Sequence, residues 1–186
     1  MPPDGEPRRM VSLTVLFGMF VVLFAIIGAM RGWAKELLVT SALVLGLFLN
    51  AILENYITPY TAALQLQPPL TQFLLRGGIL VLLSVFGYQT PNIRALQPKL
   101  ARERVEEILL GLVLGALNGY LLIGSLFFYL DQTGYPTTLV IPPAPDTPLR
   151  ASIDALMKWV PPSLLPIPQI YFAVGVVFVF IIVVFV

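Results

Sequence analysis

The sequence predicts an all-α membrane protein of about five transmembrane helices. Three observations carry that prediction. First, 58% of the 186 residues are hydrophobic and only 11% are charged, against roughly 25% charged in an average soluble domain. Second, the mean hydropathy is +0.88, more apolar surface than so few charges cover in water. Third, the apolar residues fall in long continuous runs, not in the short alternating segments of a membrane barrel.

A spanning helix needs about 20 mostly apolar residues, because the hydrocarbon core is about 30 Å thick. The first run, residues 11–30, contains no charge. The second is 37–53 and the third 70–88, interrupted only by Arg76. The fourth is 108–130, and the fifth begins near 170 and reaches 186. The fifth is the shortest, and Pro168 suits a first helical position that would lengthen it. Arg8 and Arg9 precede the first run as they would in a secretory signal. That run exceeds the core of about 7–15 residues in a signal peptide, and no convincing small-x-small cleavage site follows, so a retained helix is expected.

Orientation follows from the basic residues in the short loops. One side holds Arg31, Lys35, Arg94, Lys99, Arg102 and Arg104; the other holds Arg8, Arg9, Arg150 and Lys158. This six-to-four bias puts the N-terminus outside and the C-terminus in the cytoplasm. On the outer side, residues 148–160 read as an amphipathic helix. Thr147 caps it, Pro148 opens it and Pro161-Pro162 ends it. Leu149, Ile153, Leu156, Met157 and Val160 form its apolar face, set to lie on the membrane surface or on the bundle. Trp159 suits the headgroup layer. On the inner side, Lys99–Glu103 and Arg102–Glu106 stand at i,i+4 spacing and predict a helical extension ahead of the fourth span.

Three places hold candidate functional residues. The junction after the first span compresses Gly28, Arg31, Gly32, Trp33, Lys35 and Glu36 between two apolar runs. Physical chemistry alone reads it as an interfacial elbow, with Glu36 able to pair with Arg31 or Lys35. The fourth span carries Gly111, Gly115 and Gly119 at four-residue spacing, with Asn118 among them. Small residues in that register let a second helix approach closely, and an asparagine bonds across such a contact. Arg76 is the one charge inside a run. Snorkelling to the outer headgroups, pairing with Glu54 or Asp131, and an anion pathway all remain open for it.

Several chemistries are disfavoured. The chain has no cysteine and no histidine, which removes the usual ligands of haem, zinc and iron–sulfur clusters. No cofactor or metal site is expected. The runs hold no carboxylate pair for an aspartyl site, and Ser41, Ser84 and Ser125 have no base beside them. No phosphate-cradling loop is present, so a non-enzymatic protein is expected. A net charge of +1 indicates no nucleic-acid partner. Membrane lipids and protein partners within the membrane are the expected contacts.

The elbow and the fourth span together resemble the colicin V production protein family (CvpA-like membrane proteins). Its G-x-x-R-G-[FW]-x-[KR]-E signature is matched by Gly28, Arg31, Gly32, Trp33, Lys35 and Glu36. Its glycine-stepped last core span resembles Gly111, Gly115 and Gly119. The resemblance implies a tail at 1–10, a four-span membrane domain at 11–166 that includes helix 148–160, and an additional span at 167–186. It also implies two departures. Leu13 and Thr14 stand where the family often has an acidic residue, and Asn118 stands where it often has a basic one. The implied role is a bacterial inner-membrane protein in bacteriocin production or export, or in envelope maintenance. The alternatives are a structural accessory subunit of a larger, energy-converting membrane complex, and a small channel or carrier.

Overall fold

A computed structural model describes residues 13–89, 104–137, 140 and 142–185. All regular structure among them is helical: α1 (Leu13–Arg31), α2 (Trp33–Tyr56), α3 (Thr58–Gln65), α4 (Pro69–Tyr88), α5 (Arg104–Gln132), α6 (Pro148–Met157), α7 (Pro161–Leu164) and α8 (Gln169–Phe185). Helices α1, α2, α4 and α5 are long and apolar enough to cross a membrane. Helix α8 is a shorter apolar helix, described over 17 residues, at the low end of the roughly 17–25 that cross a bilayer. The all-α membrane fold expected from the sequence is the fold that forms, with four full-length spans and one shorter apolar helix.

Helix α2 is the axis of the bundle and packs against α4, α5 and α8. Half of its apolar window is buried, against 11% for α1, so α1 is an edge helix laid on α5. Val39, Leu43 and Leu47 of α2 meet Leu80 of α4, Leu121 and Tyr129 of α5 and Ile170 of α8 in one core. Glycines set these contacts too: a Cβ at Gly87 on α4 would stand 3.0 Å from Val39 Cα, and one at Gly46 on α2 would stand 2.8 Å from Leu80 Cδ2.

The structure changes three expectations. First, α2 starts at Trp33 rather than near 37, so the elbow is helical on both sides of one residue, Gly32. Second, the outer connection between the second and third runs, read as a loop without Lys or Arg, contains α3, anchored by buried Leu64. Third, the amphipathic segment does not run to Val160. Thr147 Oγ1 caps α6 by accepting from Arg150 N at 3.2 Å, but the helix ends at Met157 and Pro161 opens α7 instead of stopping a helix. Of the two placements expected, the segment takes the one on the bundle. Ile153 packs with Leu13, Leu130 and Tyr135, and Arg150 forks to Asp131 at 2.6 and 3.2 Å. The chain then follows α5 back toward its middle, where the Tyr120 hydroxyl donates to the Trp159 carbonyl and Pro161 abuts Gly124. Gly124 lies eight residues, about 12 Å, before the end of α5. Irregular backbone at such depth requires protein around it, and Val160 and Pro161 are fully buried. The expected pairs Lys99–Glu103 and Arg102–Glu106 rest on residues outside the described ones.

Candidate functional site: the elbow and its buried ion pair

The elbow turns on Gly32. Its φ of +88° is open to glycine and strained for other residues, and it lets α1 hand over directly to α2. The turn is tied by Gly32 N donating to Gly28 O at 3.0 Å and Glu36 N donating to Gly32 O at 3.3 Å. Gly28 also brings α1 into close backbone approach with α5. A Cβ there would collide with the Gly111 carbonyl and stand 2.7 Å from Gly115 Cα. A Cβ on Gly111 or Gly115 would collide with Gly28 O or Phe24 O, and one on Gly119 would stand 2.7 Å from Phe24 Cβ. Hence the glycine step of α5 receives α1 of the same chain, and elbow and step form one contact.

That contact delivers Arg31 and Glu36 to the inside of the bundle. Glu36 has no exposed surface. Its Oε1 accepts from Arg31 Nη1 at 2.6 Å. Its Oε2 accepts from Asn118 Nδ2 at 2.8 Å, and the same amide reaches the Glu36 carbonyl at 3.0 Å. Thr40 Oγ1 donates to Asn118 Oδ1 at 2.7 Å. Arg31 in turn donates from Nη2 to the Tyr88 carbonyl at 3.1 Å, and its guanidinium carbon lies 4.3 Å from the Tyr88 ring centroid. A cation at the C-terminal end of α4 also meets the negative end of that helix. Four helices are thereby joined through one buried carboxylate. Lys35 is exposed and Trp33 is half-buried, so Glu36 takes Arg31 of its two possible partners.

Arg76 resolves separately. Its Nε and Nη2 donate to Glu54 Oε1 and Oε2 at 2.8 and 3.0 Å, a two-point fork that is strong and directional. Asp131 is committed to Arg150 instead.

These observations assign the matched signature a physical role, and comparison assigns it a family. The family model described as Colicin V production protein matches residues 13–142. The chain belongs to that family. No curated protein and no solved structure matches it. In this colicin V production family member the matched residues comprise α1 to α5, with the elbow, the glycine step and the ion pair, while α6 to α8 follow them.

Sequence reasoning missed Thr40, Asn50 and Tyr88. For two of them the signal was present. At 100° per residue, Glu36, Thr40, Asn50 and Glu54 fall within a stripe about 80° wide on α2, which marks a polar line along one face of a largely apolar helix. Tyr88 carries no such signal, because its role depends on where α4 ends.

Proposed function

We propose that this protein is a non-enzymatic helical scaffold of the bacterial inner membrane, supporting bacteriocin production or export, or envelope maintenance. The observation that carries this reading is the use of the family signature. Gly28, Gly111 and Gly115 close α1 on α5, and Arg31, Glu36 and Asn118 lock that closure with a buried polar cluster. Such a cluster specifies one arrangement of four helices. Its groups are spent on one another, as suits a scaffold more than a reacting centre. On the basic-residue bias, the elbow faces the cytoplasm and the N-terminus lies outside.

The carrier reading rested on Arg76, whose guanidinium is engaged by Glu54. Between Thr40 and Asn50, about 15 Å along α2, the buried face is Leu43, Val44 and Leu47. That apolar stretch of α2 separates the two polar clusters, and the Ser125 hydroxyl buried between them on α5 is spent on its own helix, donating to the Leu121 carbonyl at 2.6 Å, whereas an ion path needs free polar groups or water throughout.

The test is genetic. A strain lacking the gene is assayed for bacteriocin secretion and for sensitivity to detergents, then complemented with the parent or with Asn118→Leu at equal membrane abundance. Restoration by the parent and not by the variant is expected. Unchanged secretion and sensitivity in the deletion strain would reject the reading. Stoichiometric co-purification with a large respiratory-type complex would replace it with the accessory-subunit role.

A further inference from the structure

We propose that a cavity between α2, α5 and the α7–α8 link binds the primary ammonium headgroup of a zwitterionic phospholipid, with Asn50 Oδ1 and the Glu54 carboxylate as acceptors. The cavity measures about 300 Å³, and its lining includes Leu47, Asn50, Glu54, Tyr129, Gln132 and Ile167. Asn50 is 3% exposed. Its Nδ2 donates to the Arg76 carbonyl at 3.0 Å and to the Tyr129 hydroxyl at 3.3 Å. Those bonds fix the amide, because a flip would set Oδ1 against a carbonyl. Oδ1 is left buried with no partner, a costly state that a hydrogen-bond donor in the cavity relieves.

Three further features narrow the donor. Among the described residues the Glu54 carboxylate accepts two bonds, both from Arg76, whereas a carboxylate accommodates about four. Asn50 Oδ1 and the Glu54 carboxylate thus keep acceptor capacity, which suits a ligand that brings N–H or O–H groups. Glu54 and Asn50 lie two and six residues before the end of α2 at Tyr56, about 3 and 9 Å along the axis, at and just below headgroup level. Arg76 already balances Glu54, so a bare cation would leave uncompensated charge. A zwitterionic headgroup carries its own phosphate. A quaternary choline has no N–H to offer Oδ1, and a glycerol headgroup brings net negative charge beside Glu54. Phosphatidylethanolamine meets all three conditions, with its glycerol and upper acyl region against Leu47 and Ile167.

The purified full-length chain, exchanged into detergent with equal amounts of phosphatidylethanolamine, its N,N-dimethyl derivative, phosphatidylcholine and phosphatidylglycerol, is examined by native mass spectrometry. One ethanolamine lipid should be retained about tenfold or more over the choline lipid, since a hydrogen bond involving a charged group is at stake. The dimethyl lipid, with one N–H left, should fall between them. Asn50→Leu, if it melts as the parent does, should erase the preference. The lipid series on the parent chain tests the proposal without any variant. Equal retention of ethanolamine and choline lipids would overturn it and leave water as the occupant. Displacement of the lipid by free phosphoethanolamine at equal concentration would overturn the lipid as source.

Discussion

Glu36 and Arg31 face each other across the Gly32 turn, their carboxylate and guanidinium 2.6 Å apart with the carboxylate fully buried. A pair five residues apart is out of register on a continuous helix, where neighbours are three and four apart. The turn at Gly32 brings the two side chains together, so the backbone freedom of one glycine and the burial of one charge are a single device. At the position where the family resemblance implies a basic residue, the Asn118 amide donates a hydrogen bond to the Glu36 carboxylate that Arg31 pairs.

Breaking this pair from one side should be much worse than removing both partners. Arg31→Met leaves an unpaired buried carboxylate and should cost about 3–5 kcal/mol. The double variant Arg31→Met, Glu36→Leu should recover a large part of that loss, with a coupling of about 1–3 kcal/mol. Thermal unfolding midpoints of the four proteins in mild detergent give the cycle. Additive losses would show that the two side chains do not depend on each other.

The glycines divide into two sets by what surrounds them. Gly28→Ala and Gly115→Ala place a methyl group on the backbone of the facing helix, and both should separate α1 from α5. Gly18→Ala and Gly78→Ala enter open space. In a helix these should be neutral or stabilising by up to about 1 kcal/mol. Aggregation temperatures of the four single variants are the measurement, and equal loss in both sets would contradict the packing.

The fold was legible in the sequence because crossing a membrane demands length and hydropathy, and both can be counted. The elbow motif and the glycine step were legible as separate features. Their meeting was not, since a glycine pattern states that some helix approaches and not which one. Glu36 shows the same limit. Its charge marks an interface residue by composition, yet Arg31 and Asn118 make it a core residue. The descent of the chain after Met157 was hidden for another reason. Pro161 and Pro162 signal an end to a helix equally well when they begin the next one, and the fit of Pro161 against Gly124 is a tertiary contact with no local trace.

Arg76 and Glu54 offer a charge exchange. The pair is mostly shielded, with side chains 12% and 27% exposed. Arg76→Glu alone sets two carboxylates together and should lower the melting temperature or prevent accumulation in the membrane. Adding Glu54→Arg restores opposite charges and should recover part of the stability. Because salt screens partly buried pairs weakly, the parent's melting temperature should change little between low and high salt. Failure of the exchange together with strong salt sensitivity would make the pair a surface contact.

Sidedness follows from the basic bias and is open to chemical labelling. The chain has no native cysteine, so single cysteines at Ala34, beside the elbow, and at Gln65, at the end of α3, report alone. In intact cells an impermeant maleimide should reach position 65 and not 34. The opposite pattern would reverse the orientation.

The last expectation concerns α6, which holds the chain after the α5 span against the bundle. Ile153 is 2% exposed and packs on Leu13, Leu130 and Tyr135. On the polar side, Arg150 bridges Asp131 and Asp154, and the Tyr135 hydroxyl donates to Asp131 at 2.9 Å. Burial chiefly, and this hydrogen bond next, hold Tyr135 above the ordinary tyrosine value of 10.0. A raised value means that its contribution is complete below that pH and is lost as pH rises through the folded-state value. Docking should therefore persist through pH 10 and weaken only above it. Ile153→Asp removes apolar burial and introduces a charge with no partner in the Leu13–Leu130 pocket, a loss of about 2 kcal/mol or more. At about 1.4 kcal/mol per factor of ten, the undocked population should rise roughly thirtyfold. Proteolysis of membrane vesicles with this loop accessible reads that population directly when closing outpaces cutting. Trp159→Ala, at an exposed side chain, is the control and should be cut at the parent's rate. If Ile153→Asp is cut no faster than the control, α6 is held by its ion pairs alone and its apolar face contributes nothing to docking.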